Sequence, residues 1–159
     1  MGLSTDNSGT TGDLQTALRH AATLLRSDPA LAAEQARAIL AVFPREPNAG
    51  VLLATAERRS GRPELAVEVA AALVEQHPTF GFALEELGLS LLAVRRWVEA
   101  EEALTRAVAV DERLPGAWIA LGDIRAERGD ARGGSEAYQR HIQLATGNLD
   151  LLKAADALL

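Results

Sequence analysis

The chain has 159 residues, 48% of them hydrophobic and only 4% aromatic, with a formal net charge of −6 and no cysteine. A chain of this length and apolar content can bury a core, and its richness in Ala and Leu favours helices. The acidic balance argues against general nucleic-acid binding, which draws on a basic face, and the missing thiols exclude disulfides, thiolate catalysis and thiolate metal sites.

The opening residues, "MGLSTDNSGTTGD", lack the basic and apolar segments of a secretory signal. No apolar run reaches the length of a bilayer span, so the chain reads as cytoplasmic with no membrane partner. Gly2 suits myristoylation, but Asp6 stands where that pattern wants Ser or Thr. Ser8-Gly9-Thr10-Thr11-Gly12 has the look of a phosphate-cradling loop. Yet no strand pattern feeds it, it holds no Lys or Arg, and Asp6 and Asp13 flank it with the wrong charge. The expected structure is a flexible tail over 1–12, with Asp13 capping the first helix.

From there the chain alternates amphipathic helices with breakers: "SDP" at 27–29, "SGRP" at 60–63, "RR" at 95–96 and "RGD" at 128–130. Asp28-Pro29 is an N-cap followed by proline at the first helical position. Gly61 and Gly129 suit the left-handed residue that closes a helix. "FPREP", "HPTF", "ERLP" and "TGN" separate successive hairpins. Positions 34 residues apart align: Leu53, Leu87 and Leu121; Ala54, Gly88 and Gly122; Ala66, Ala100 and Gly134; Ala70, Leu104 and Tyr138. Going back by 34, Pro78 lands on Pro44 and Ala66 on Ala32. Going forward, Trp118, Leu121 and Arg125 reach Leu152, Ala155 and Leu159.

These columns resemble the tetratricopeptide repeat, best in "WIALG" at Trp118–Gly122 with Tyr138 in the aromatic column, and again in "LEELG" and "ALTRA". The aromatic of the first helix is replaced by Glu57, Leu91 and Arg125, and the first repeat has Arg19 and His20 where Leu and Gly belong. The resemblance implies an all-α, right-handed solenoid of about four repeats, over 13–46, 47–80, 81–114 and 115–146. Residues 147–159 would then form a capping helix or open a fifth repeat. Tyr138, Arg140, His141 and Ile142 also resemble the end of the repeat region in a group of bacterial sulfotransferases. The preference for Arg over Lys, with Lys153 the one lysine, fits a GC-rich bacterial genome.

By the same resemblance, the inner face of the solenoid carries the partner site. Its positions are Asn48, Val51, Thr55, Arg58 and Arg59 in the second repeat. Phe82, Glu85, Leu89, Leu92 and Ala93 follow in the third, and Gly116, Ile119, Asp123, Ala126 and Glu127 in the fourth. Phe82, Leu89, Leu92 and Ile119 would form an apolar strip for a helix or extended peptide of a partner protein. Arginines gather near the hairpin turns (Arg26, Arg58, Arg59, Arg62, Arg95, Arg96, Arg128, Arg132), where cations suit helix C-termini; the alternative is a ridge for an acidic or phosphorylated partner. Glu99, Glu101 and Glu102 read as a solvated helix start. His20, His77 and His141 have no metal-ligand spacing, and neighbours such as Glu85 and Glu86 point to different helix faces. The sequence therefore predicts a non-catalytic scaffold with no cofactor or metal. The alternatives are the N-terminal module of a larger sulfotransferase-type enzyme, or a module that associates with itself through its C-terminal helix.

Overall fold

The computed structural model describes the backbone from Ser8 to Asp156 and the side chains from Gly12 to Gly147. Among these residues eight helices follow in order: α1 (Ser8–Ser27), α2 (Pro29–Val42), α3 (Pro47–Arg59), α4 (Pro63–Gln76), α5 (Gly81–Ala93), α6 (Trp97–Val110), α7 (Pro115–Glu127) and α8 (Ala131–Asp156). They form four antiparallel hairpins stacked into a solenoid, and no strand occurs among the described residues.

Local chemistry sets the helix starts. Proline occupies the first position of α2, α3, α4 and α7, where its missing N–H and fixed φ cost nothing. Asp28 caps α2, its Oδ1 accepting from Leu31 N–H at 3.0 Å, and Glu46 caps α3 from Asn48 N–H at 3.1 Å.

The turns inside the last three hairpins share one geometry. Gly61, Arg95 and Gly129 lie 34 residues apart with φ of 77°, 62° and 81°. In each, the next N–H reaches back five residues: Arg62 to Glu57 O, Arg96 to Leu91 O and Asp130 to Arg125 O, all within 3.0 Å. The first hairpin lacks this turn. Asp28 alone joins α1 to α2, its N–H bonding Leu24 O at 2.7 Å.

That difference shifts α1 along the repeat pattern. Ala21 is fully buried, whereas Arg19 and His20 are exposed. Ala21 therefore takes the small-residue place of Ala54, Gly88 and Gly122, one position later than the 34-residue spacing sets it. Small residues are needed there because the helices of a hairpin nearly touch: a Cβ at Gly88 would overlap Leu104, and one at Gly122 would lie 2.5 Å from the Tyr138 ring. Leu84, Leu104, Leu121 and Ile124 are fully buried in the layer that runs from α4 to α8. Each contributes about 1.5–3 kcal/mol of apolar transfer.

Two expectations at the ends differ from the structure. α1 begins at Ser8, so Asp13 lies within the helix and does not cap it, and the part of the expected tail over 8–12 is helical. No proline interrupts this stretch, and a helix already nucleated by packing extends at little cost. The remaining tail residues, 1–7, lie outside the described residues. At the other end the capping segment is helical to Asp156, but as a continuation of α8 without the expected break at Thr146-Gly147-Asn148. Thr146 Oγ1 bonds Ile142 O at 2.9 Å, the in-helix pattern of threonine, and Gly147 is carried inside the helix. Leu159 lies outside the described residues.

Candidate functional site

Which helices touch determines where a groove can form. α1 packs on α3, α3 on α5 and α5 on α7, whereas among the described residues α2, α4, α6 and α8 do not touch one another. A stack held together on one side and splayed on the other must bend, so the odd-numbered helices line its concave wall. The groove positions expected from the sequence lie on α3, α5 and α7.

The structure divides those positions into free and committed groups. Asn48, Val51 and Phe82 meet in a recess of about 420 Å³, together with Leu52 and with Gln15, Leu18, Arg19 and Ala22 of α1. The Phe82 side chain is 51% exposed and stands edge-on to Phe80, with ring centroids 5.8 Å apart. Ile119 is 41% exposed. Leu89 and Leu92 are half-buried against the core and present only part of their surface. Arg59, Ala93, Ala126 and Glu127 are exposed.

Thr55 and Arg58 serve the fold. Glu86 on α5 is almost fully buried. Arg58 Nε and Nη2 donate to its two oxygens at 2.7 and 3.1 Å, Thr55 Oγ1 donates at 2.9 Å and Ser90 Oγ at 3.2 Å. A carboxylate out of water is tolerable only with such compensation, and the network stitches α3 to α5. Glu85, its neighbour, points the other way. Burial pushes its carboxyl above the usual range, opposed in part by a hydrogen bond from Ala117 N–H. Ala117 is the third residue of α7, whose own N-cap Leu114 offers no side-chain acceptor, so the Glu85 carboxylate of α5 lies against the uncapped N-terminus of that helix. Gly116 leaves room for the carboxylate, since a Cβ there would lie 2.6 Å from Glu85 Oε1. Asp123 accepts a 2.7 Å hydrogen bond from Tyr138 Oη, which raises the phenol pKa.

α1 supplies what the sequence reading of the groove omitted. Shifted by one residue, Gln15 matches Asn48 and Phe82, Leu18 matches Val51, and Ala22 matches Thr55. The visible signal was the absence of glycine from the first turn, where Ser27 stands in the column of Gly61.

The arginine edge is largely neutralised from within. Arg62 and Arg37 both pair with buried Glu57, Arg96 with Glu99, Arg132 with Glu136, and Arg125 and Arg128 with Glu101. The acidic cluster is thus only partly a solvated face, because Glu101 ties α6 to α7 and the following turn. Glu57 and Arg125, which replace the helix-A aromatic, are anchored by these pairs. His141 Nδ1 lies 2.8 Å from Pro115 O, where it donates as the Nδ1–H tautomer, and the His77 backbone N–H bonds Leu73 O at 2.9 Å. Among the described residues no His and carboxylate cluster could hold a metal ion, and no helix is long and apolar enough to cross a membrane.

The sequence profile of the tetratricopeptide repeat matches residues 26–79 and 85–148. The chain belongs to the tetratricopeptide-repeat family. Solved structures of similar fold include a thermophilic tetratricopeptide-repeat protein of Thermus thermophilus. Its TM-score is 0.75 at 22% identity, over 96% of this chain and 84% of that one. MamA from Desulfovibrio magneticus RS-1 has a TM-score of 0.68 at 19% identity, over 89% of this chain and 80% of that chain. The tetratricopeptide domain of Sgt2 from Aspergillus fumigatus has a TM-score of 0.69 at 19% identity, over 77% of this chain and 83% of that chain. At these identities the likeness is one of fold. No curated protein matches the sequence. The finer likeness of Tyr138, Arg140, His141 and Ile142 to sulfotransferase repeat regions draws no support from these matches. In the structure Tyr138 and His141 tether α8 to α7.

Proposed function

We propose that this tetratricopeptide-repeat chain is a non-catalytic scaffold whose concave groove holds a helix or extended segment of a partner protein. The observation that carries this reading is the combination along the inner wall of exposed Phe82 and Ile119 with half-buried Val51, Leu89 and Leu92. Beside them Thr55, Arg58, Glu85 and Asp123 are already satisfied within the fold, leaving apolar surface as what the middle of the groove offers. The test is a Phe82→Glu, Ile119→Glu double variant. Both side chains are solvent-facing, so the variant keeps its helical circular dichroism and loses binding to peptides selected on the parent chain. Unchanged binding by the folded variant overturns the reading. Self-association is a second reading, favoured by the 26 residues of α8 against 14 in each of α2, α4 and α6. Light scattering that gives one monomer mass across a dilution series removes it. The sulfotransferase-module reading rests on the sequence likeness alone.

A further inference from the structure

We propose that the groove is electrically polarised along its length, basic over α1 and α3 and acidic over α7. Its ligand is then an amphipathic protein segment with carboxylates over α1 and basic side chains over α7. The inference rests on the groove reading above and adds the chemistry and direction of the occupant.

The recess between α1, α3 and α5 is lined by one cation, Arg19, and by no carboxylate, on a chain whose net charge is −6. Among the described residues Arg19 forms no ion pair. Its guanidinium reaches only the Thr16 hydroxyl of its own helix, at 3.4 Å. Once α1 is shifted by one residue, Arg26, Arg59, Ala93 and Glu127 share a single groove column, and all four are exposed. Arg59 bonds a backbone carbonyl, Leu25 O, at 3.3 Å and no carboxylate. The column thus begins with two cations and ends with an anion, and Asp123 adds negative charge one turn before Glu127. The apolar residues lie between these poles, where Val51, Phe82 and Ile119 can anchor a ligand. Exposed charges of this kind contribute about 0.2–1 kcal/mol each. Their main effect is on orientation and selection, while the anchors supply affinity.

The test uses the purified chain and a random-peptide display library. The enriched peptides should carry acidic residues on one side of an apolar core and basic residues on the other. For the best of these, made synthetically with a fluorophore, anisotropy gives affinities for the parent chain, an Arg19→Glu, Arg26→Glu variant and a Glu127→Lys variant. All three positions are exposed, and circular dichroism checks each fold. Each variant should bind about tenfold more weakly, and a paramagnetic label at the acidic end of the peptide should broaden the Leu18 methyl signals. Enriched peptides of one charge sign or none, or variants binding within about twofold of the parent, overturn the polarity. If binding to such peptides is still abolished by Phe82→Glu, Ile119→Glu, the groove reading stands while the polarity falls. A library that yields no binder overturns both.

Discussion

Tyr138 is the only tyrosine in the chain, and its hydroxyl donates to the Asp123 carboxylate. That hydrogen bond, together with the negative charges of Asp123 and Glu127, holds the phenol proton above the ordinary value of 10.0. Ultraviolet titration of the folded protein should therefore show phenolate appearing later than in a free tyrosine, and Asp123→Asn should move the curve back down. Glu85 offers a second test by pH. Its carboxyl titrates above 4.5 in the folded protein because burial disfavours the anion. Between that reference and the folded value the native state binds more protons than the unfolded chain. This group's contribution is complete below 4.5 and is lost as pH rises through the folded value. Glu85→Gln keeps an acceptor for Ala117 N–H without the charge. Its denaturation midpoint should gain on the parent's as pH goes from about 4 to about 7; a constant offset between the two would refute the assignment.

Arg95 holds a left-handed backbone where its two counterparts are glycines. A side-chain-bearing residue there costs about 1–2 kcal/mol, set against the greater unfolded-state entropy of glycine. Arg95→Gly should stabilise the protein by about 0.5–1 kcal/mol, a rise of about 1–4 °C in Tm, measured by thermal circular dichroism. This turn was legible in advance as a breaker, because "RR" falls in register with two glycine turns, though its handedness became visible only from the backbone. The helix pairs, their order and the close approach at Ala54, Gly88 and Gly122 were likewise readable, since one column of small residues and one of leucines recur at fixed spacing. The register of α1 was not, because a turn shortened to Asp28 moved every groove position by one. Nor was the commitment of Thr55, Arg58, Glu85 and Asp123 to the fold. Their partners Glu86, Ala117 and Tyr138 lie 15 or more residues away along the chain and meet them only once the hairpins stack. The uninterrupted α8 also escaped, because "TGN" carries turn-forming residues that a helix already under way can absorb.

Among the described residues, packing is confined to helices one or two places apart in chain order. α3 and α5 are each flanked by four others, α1 by two, and among the described residues α8 packs on α7 alone. Hydrogen exchange should accordingly be slowest in α3 and α5 and fastest in α8, a gradient expected of a stack whose ends open first. Equal protection in all eight helices would mean that the array opens as one cooperative unit. The same short reach bears on how such a chain can change over generations. A duplicated hairpin spliced between Val110 and Pro115 would present to its neighbours the surfaces that α7 and α6 now exchange, and nothing farther off would need to adjust. The protein could thus acquire a longer reach in steps of one hairpin, each step compatible with what was already built.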